Sequence, residues 1–254
     1  MSTRYILPVF TCLLALTAIS SSNAAPNGRV VGGADAVVGQ FPHQVSLQRS
    51  DGSHTCGGSI ISETFIVTAA HCVVVGEGIE PYPPRFYQVR VGSMQRTIGG
   101  QLLKLKRIIV NKAYADFQND IALLELEKPI VFTKNIQPIE LAEEEVPSGG
   151  DVIISGWGRL STNGPIPHRL QWNTLKALNA EECEEVHHLG ASVICLGHEP
   201  DNGTCFGDSG GPATYNGKLV GVASFVDDGC GSDIPDGYAK VAHLREWIRA
   251  NSGV

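Results

Sequence analysis

The sequence predicts an all-β protein built from short strands, and two observations carry this prediction. The chain has 254 residues with 29 glycines and 14 prolines, which favours frequent turns over long helices. Its apolar segments are short, and most alternate apolar with polar side chains, the pattern of a half-buried strand. Apolar residues make up 43% of the chain, enough for a sizeable core in one or two domains.

The strands are predicted in two series. The first series comprises residues 44–48, 59–67, 86–91, 102–110 and 120–126. The second series comprises residues 151–157, 170–178, 192–196, 212–215, 218–226 and 237–241. Between the series, residues 143–150 (EEEVPSGG) turn acidic and then rich in proline and glycine, so we expect them to link two halves of the molecule.

Two helices are predicted in the second half of the chain. Residues 179–187 begin with Asn179 as N-cap and Glu182 three residues later, the signature of a capping box. Residues 241–250 place apolar side chains on one helical face: Val241, Leu244, Trp247 and Ile248.

The first 24 residues predict a secretory signal peptide. Arg4 precedes an apolar run at residues 5–19, and small residues follow at 20–25. The alternative, a membrane anchor, is disfavoured because the run is shorter than the roughly 18–20 residues of a membrane span. We therefore expect a secreted, extracellular protein, with residues 25–29 as a short segment before the folded body.

Cysteine content agrees with an extracellular protein, whereas the charge bears only on nucleic acid as a partner. Seven cysteines become six once Cys12 leaves with the signal peptide, which predicts three disulfides whose pairing the count leaves open. Metal binding is the competing interpretation, but neither a CxxC nor a histidine-rich spacing supports it. The formal net charge of −7 makes nucleic acid a poor candidate for a partner.

Three separated motifs together supply the groups for nucleophilic catalysis. They place His71 at the end of an apolar strand (TAAHC), Asp120 before a buried strand (NDIALL) and Ser209 among glycines (GDSGGP). Taken singly, each has an ordinary structural interpretation as a core histidine, a strand cap or a loop. Together they provide a weak nucleophile, a base that can take its proton, and a carboxylate that orients the base.

With RVVGG at residues 29–33 and GWG at 156–158, these motifs make the chain resemble the trypsin/chymotrypsin family of secreted serine endopeptidases from Arg29 to the C-terminus. The resemblance implies a protease domain at residues 30–254. Its fold would be two six-stranded antiparallel β-barrels with a C-terminal helix and the active site in the cleft between the barrels. It implies hydrolysis through an acyl-enzyme on Ser209, with His71 as general base and Asp120 as its orienter. The oxyanion hole would be formed by Gly207 and Ser209, without cofactor or metal.

The resemblance also implies activation by proteolysis. A trypsin-like protease would cut after Arg29, and the new α-amino group of Val30 would pair with Asp208. The implied disulfides are Cys56–Cys72, Cys183–Cys195 and Cys205–Cys230. They leave no cysteine to hold residues 25–29, so this short pro-segment would be lost, which favours a digestive enzyme over a cascade protease.

By the same resemblance, the pocket for the side chain before the scissile bond includes Gly203, Ser224, Phe225, Val226 and Asp236. Gly203 stands where trypsins have an aspartate, and Val226 where a glycine is common. This pattern is similar to insect and crustacean chymotrypsin-like and collagenolytic members, so we expect chymotrypsin-like, elastase-like or broad collagenolytic specificity. The alternative is trypsin-like specificity, with Asp236 attracting a basic side chain from a wall position that is usually glycine.

A rival from another functional class is an inactive homologue that acts as a binding protein, but such proteins usually lose a triad residue and this chain keeps all three. The expected partners are protein and peptide substrates, an activating protease and protein inhibitors, with no nucleic acid or membrane, and the protein is expected to be a monomer. Asn202 begins a glycosylation sequon in the pocket wall, where a glycan is not expected. His187 and His188 are expected to be a solvated helix end rather than metal ligands, and the loop at 76–85 is expected to hold no calcium.

Overall fold

The computed structural model describes Met1 and residues 30–76 and 78–254. The predicted signal peptide, the pro-segment and Arg29 lie outside these residues. Among the described residues, no helix is both long enough and apolar enough to cross a membrane.

The described residues form short strands and two α-helices. In chain order the strands are β1 (Ala34–Asp35), β2 (Gln44–Arg49), β3 (His54–Ile60), β4 (Phe65–Thr68), β5 (Tyr87–Val91), β6 (Gln101–Val110), β7 (Ala122–Leu126), β8 (Glu140–Leu141), β9 (Asp151–Gly156), β10 (Gln171–Ala177), β11 (Val193–Gly197), β12 (Pro212–Tyr215), β13 (Lys218–Phe225) and β14 (Asp236–Lys240). The helices are α1 (Ala180–His187) and α2 (Val241–Ser252).

The strands close into two six-stranded antiparallel barrels, which confirms the predicted fold class. The first barrel has the order β2-β3-β4-β7-β6-β5 and closes where β5 pairs with β2. The second has the order β9-β10-β11-β14-β13-β12 and closes where β12 pairs with β9. Strand β1 extends the second barrel beside β10, and β8 runs parallel to β13. Closing each sheet removes the exposed edges that open sheets must protect.

The prediction of one strand at residues 59–67 is wrong. The structure has the end of β3 and the whole of β4 there, joined by a turn at Ile61–Thr64. Ser62 makes this turn by accepting hydrogen bonds at Oγ from the backbone N–H groups of Thr64 and Phe65. A serine hydroxyl can therefore reverse the chain without glycine or proline, the signals used to divide the other strands.

Both helices were predicted, and the structure explains their positions. Asn179 accepts a hydrogen bond from the N–H of Glu182, whose side chain accepts one from the N–H of Asn179, so the predicted capping box is present. In α2, Val241, Leu244 and Ile248 are buried in the same apolar cluster as the core of the first barrel. The helix therefore ties the second half of the chain to the first.

Candidate active site

Strand pairing in the first barrel places His71 beside Asp120. Thr68 at the end of β4 pairs with Ala122 at the start of β7, so the residues just outside both strands lie at one edge of the barrel. His71 lies in a 3₁₀ turn that follows β4, and its Nδ1 is 2.7 Å from Oδ2 of Asp120. The N–H of His71 also donates to Oδ1 of Asp120 at 3.0 Å. Two contacts from one residue hold the imidazole in a fixed orientation.

The second barrel completes the surroundings of Asp120. The hydroxyl of Ser224, in β13, donates to Oδ2 of Asp120 at 2.6 Å. The side chain of Asp120 is fully buried, whereas that of His71 is 26% exposed. Asp120 therefore accepts three hydrogen bonds. Nε2 is the ring nitrogen of His71 that does not contact Asp120, and it lies 3.8 Å from the disulfide sulfur of Cys72.

Ser209 lies on a loop before β12 that contacts both barrels. Its carbonyl accepts a hydrogen bond from the N–H of Gly57 in β3, and the N–H of Gly210 donates to Ala223 in β13, each at 2.7 Å. Gly210 has φ +76°, and a Cβ there would lie 2.1 Å from Oγ1 of Thr68. Glycine is therefore required after the serine by conformation and by space.

His71 and Ser209 line one cavity of about 220 Å³ between the barrels. No hydrogen bond joins their two side chains, both of which the structure describes. The remaining lining residues are Phe117, Thr204, Cys205, Phe206, Ser224, Phe225 and Val226. Among the described residues, nothing accepts a hydrogen bond from the backbone N–H of Gly207 or of Ser209, so both donors are available to a ligand.

The structure brings only part of the predicted pocket to the cavity surface. Ser224, Phe225 and Val226 line it, whereas Gly203 and Asp236 are buried and do not line it. The N–H of Thr204 donates to Oδ2 of Asp236 at 2.5 Å. Asp236 therefore contacts the backbone of a lining residue and does not itself line the cavity.

Sequence reasoning missed three residues near this cavity. Phe117 and Phe206 are half exposed at its rim, and their signal was an aromatic residue just before the aspartate motif and just before the serine motif. His54 contacts the carbonyl of Gly207 through Nε2 at 2.9 Å and Oγ of Ser46 through Nδ1 at 2.8 Å. Burial lowers the pKa of His54 to about 4, so this histidine is neutral and holds the loop before Ser209 in place.

Asp208 is a buried carboxylate without a cation beside it in the described part of the chain. It accepts hydrogen bonds from the N–H groups of Gly158 at 2.7 Å and Cys205 at 3.0 Å. Burial raises its pKa to about 7, although these two hydrogen bonds act in the opposite direction. The side chain of Val30 is 1% exposed and packs in the core of the second barrel.

Three disulfides brace the region around the cavity, with the pairing that the resemblance implied. They are Cys56–Cys72, Cys183–Cys195 and Cys205–Cys230. Cys56 and Cys72 also lie close to His71, but their disulfide leaves no thiolate to bind a metal. Cys72 follows His71 directly and Cys205 lines the cavity, so two of these bonds hold segments of the site.

The interpretation of His187 as a solvated residue is wrong. Its side chain is only 3% exposed, with Nδ1 3.0 Å from a carboxylate oxygen of Asp227 and Nε2 2.8 Å from the carbonyl of Pro235. Its ring also packs edge-on against Phe225. His187 faces inward because it lies on the side of α1 that packs against the second barrel, while His188 is exposed.

Comparison with known proteins identifies close relatives of the whole folded region. The trypsin family model matches residues 30–248. The chain is 41% identical to serine protease SP24D of Anopheles gambiae over 221 residues, 87% of this chain and 80% of that protein. It is 37% identical to chymotrypsin-2 of Vespa crabro over 87% of this chain and 99% of the relative. It is 35% identical to trypsin delta of Drosophila erecta over 96% and 99%.

Proposed function

The chain belongs to the trypsin family of serine proteases, and from this premise we propose that it hydrolyses peptide bonds through an acyl-enzyme on Ser209. The observation that carries the assignment of residues is the contact between His71 and the buried Asp120, made at the cavity that Ser209 also lines. Its substrates are proteins and peptides.

The proposed reaction begins when Oγ of Ser209 attacks the carbonyl carbon of the scissile bond. Its proton passes to Nε2 of His71, which later gives it to the departing amine as the C–N bond breaks. Water then attacks the acyl-enzyme, again losing a proton to His71, and the proton returns to Ser209. Asp120 stays ionised and stabilises the imidazolium that forms in each half of the cycle.

The proposed oxyanion hole consists of the backbone N–H groups of Gly207 and Ser209. Both are without a hydrogen-bond partner among the described residues, as donors reserved for a developing negative charge must be. Loss of one such donor reduces the rate by roughly 10²–10³. The contact of His54 with the carbonyl of Gly207 supports this assignment because it fixes the segment that carries the first donor.

We also propose that the chain is a secreted zymogen. Residues 1–24 would be removed as a signal peptide, and cleavage after Arg29 would release residues 25–29 and free the α-amino group of Val30. Burial of Asp208 with a raised pKa supports this proposal, because such a carboxyl gains most from a nearby cation. Cleavage would thus supply the charge that Asp208 lacks in the intact chain.

The proposed specificity is for neutral side chains, of the chymotrypsin, elastase or broad collagenolytic type. Phe117, Phe225 and Val226 give the cavity apolar walls. Gly203, which precedes the lining residue Thr204, contributes no charge. The relatives include proteins named trypsin and chymotrypsin, so their names do not decide between the types. Trypsin-like specificity through Asp236 is the competing proposal. A digestive role and inhibition by protein inhibitors remain part of the proposal.

Labelling with a serine-directed phosphonate tests the proposed mechanism. The chain cleaved after Arg29 should bind the probe covalently, while the uncleaved R29Q variant and the cleaved S209A variant should not. Peptide-library profiling of the cleaved enzyme should show cuts mainly after neutral residues. A properly cleaved chain that neither binds the probe nor cuts any peptide would instead be an inactive homologue with a binding role.

A further inference from the structure

A second buried histidine–aspartate pair lies beneath the cavity. Strands β11 and β14 pair with Leu196 opposite Asp236, which brings His198, just after β11, close to that carboxylate. Nε2 of His198 is 3.3 Å from Oδ1 of Asp236. The side chains are 2% and 3% exposed, so water does not screen the charges.

The surroundings of the His198 ring favour a hydrogen on both nitrogens. Nδ1 lies 3.1 Å from the backbone carbonyl of Glu199, which can only accept, so Nδ1 donates. Nε2 has no well-aligned hydrogen bond among the described residues and faces the carboxylate of Asp236 as an ion pair. A histidine with hydrogens on both ring nitrogens is a cation. Burial lowers the pKa of His198, but the contact with the Asp236 carboxylate, its negative charge and the carbonyl of Glu199 together raise the pKa above its usual value.

This pair lies directly under Gly203. A Cβ at Gly203 would be 2.6 Å from Oδ2 of Asp236 and 2.7 Å from Nε2 of His198. The φ of +106° at this position also disfavours any side chain. A trypsin-like aspartate therefore cannot replace Gly203 without displacing the pair, whose charge acts on the cavity through Thr204.

We propose that His198 is a specificity-determining residue that neutralises Asp236, so that the cavity accepts neutral side chains although a carboxylate lies beneath it. The proposal rests on the proposed function, because it concerns the side chain that enters beside Ser209. A bare carboxylate at this depth attracts a lysine or arginine side chain, whereas a compensated ion pair does not. Removing the imidazolium, and keeping Asp236, therefore converts the enzyme toward basic substrates.

The first test compares peptides that differ only in the residue before the scissile bond: Phe, Leu, Lys or Arg. The enzyme is cleaved after Arg29, and kcat/KM is measured for each peptide. In H198Q, the kcat/KM for Lys and Arg peptides relative to that for Phe and Leu peptides should rise about tenfold or more. A tenfold change in this ratio corresponds to only ~1.4 kcal/mol of interaction free energy. The double variant H198Q/D236N should return the ratio to that of the unmodified enzyme.

The matched control is H187Q. His187 is an equally buried histidine that contacts an aspartate and packs against Phe225 at the cavity, but its partner Asp227 lies at the surface. H187Q therefore removes a buried imidazole next to the pocket without leaving a buried carboxylate unpaired. A general effect of losing a buried imidazole would lower cleavage of every peptide in both variants. The H187Q variant should keep the basic-to-neutral ratio within about twofold. An unchanged ratio in H198Q, with Phe cleavage retained, would overturn the proposal.

The pH dependence of the unmodified enzyme gives a second measurement if H198Q does not fold. Deprotonation of His198 exposes the charge of Asp236, so the basic-to-neutral ratio should rise with pH; a flat ratio would overturn the proposal. Taking a ratio cancels the ionisation of His71, which both substrates share. The other ionisable groups near the pair are Tyr238, whose pKa is raised well above its usual value so that the hydroxyl stays neutral, the buried Asp208, and the exposed Glu199 and Asp201.

Failure of this proposal is distinguishable from failure of the proposed function. If the cleaved enzyme cuts no peptide and binds no phosphonate, the catalytic assignment is wrong and so is the role of His198. If it cuts after Phe and Leu, the catalytic assignment stands, and the ratio alone decides the role of His198. Preferential cleavage after Arg or Lys by the unmodified enzyme would also contradict that role.

Discussion

The two histidine–aspartate pairs of this protein differ in one respect that decides what each can do. In both, the aspartate is buried. His71 is partly exposed at the cavity, whereas His198 is sealed beneath it. Nδ1 of His71 faces its aspartate and Nε2 lies 3.8 Å from the disulfide sulfur of Cys72, while both nitrogens of His198 face oxygen acceptors.

Access to a reacting group therefore decides whether a histidine of this kind can transfer protons or can only carry a fixed charge. An imidazole with one nitrogen held and one available can take and return a proton during each turnover. An imidazole with both nitrogens engaged, away from substrate, can only set the local charge. In the proposed roles, the same pair of residue types thus serves catalysis where the histidine reaches the cavity and selectivity where it is buried.

The largest expected effect comes from D120N. The amide has one acceptor oxygen and no negative charge, so it cannot accept from all three donors that Asp120 serves, and the tautomer and the imidazolium of His71 both lose support. The kcat should fall by about 10⁴ for neutral and basic substrates alike. Steady-state kinetics with the matched peptides measure this, with D227N as the control. A selective loss for one substrate class would show that Asp120 also sets charge, and the comparison of the pairs would fail.

The next largest effect concerns Asp208, a buried carboxylate that forms no pair with a histidine among the described residues. Its pKa is raised to about 7, so the folded chain binds its proton more tightly than the unfolded chain. Stability of the uncleaved chain should therefore fall as pH rises from about 4 to 7, by on the order of 4 kcal/mol relative to D208N. Urea unfolding of both chains in an S209A background measures the difference.

Before cleavage at Arg29, D208N should be the more stable of the two chains at pH 7. After cleavage, we expect this order of stability to reverse. The freed amine of Val30 would then pair with Asp208, and removing one partner of a buried pair costs about 3–5 kcal/mol. If D208N were the more stable chain both before and after cleavage, Asp208 would not be the partner of Val30.

A smaller effect is expected for S224A. Loss of the hydroxyl leaves Oδ2 of Asp120 with one donor fewer in a buried site, which costs about 1–3 kcal/mol. We expect kcat/KM to fall by roughly tenfold, by the same factor for all four peptides. A change in the basic-to-neutral ratio would mean that Ser224 acts mainly on the pocket and only secondarily on the His71 pair.

The smallest effect is expected for D227N. This aspartate contacts buried His187 but is itself 55% exposed, so solvent weakens the ion pair. The free energy of unfolding should change by less than about 1 kcal/mol in thermal or urea denaturation. A larger loss would show that a pair at the surface can be as consequential as the two buried ones.

Much of the fold was predictable because alternation and turn residues are local signals. Strands such as β12 and β13 follow them closely, and the capping box at Asn179 located α1 within one residue. The error at Ser62 arose because a hydroxyl made the turn. Barrel closure could not be derived from these signals, since it depends on pairings between distant strands such as β12 with β9; the resemblance implied it.

The residues of the candidate site were predictable where a sequence motif marks them. They were not predictable where only strand pairing and packing bring them together. His71, Asp120 and Ser209 lie in short recognisable stretches, and the resemblance assigned their roles. His198 belongs to no such motif. Its importance depends on the register that places Leu196 opposite Asp236 and on a glycine that leaves room above the pair, and neither is visible in the sequence alone.

The hydrogen bond from Gly57 to the carbonyl of Ser209 crosses from one barrel to the other. His71 and Asp120 come from the first barrel, and Ser209 and Ser224 from the second. A chain with one barrel folded therefore holds either the proposed base or the proposed nucleophile, never the two together. In the proposed mechanism, catalysis requires the two barrels to be docked as well as the chain to be cleaved after Arg29, so folding of the whole domain must precede activation.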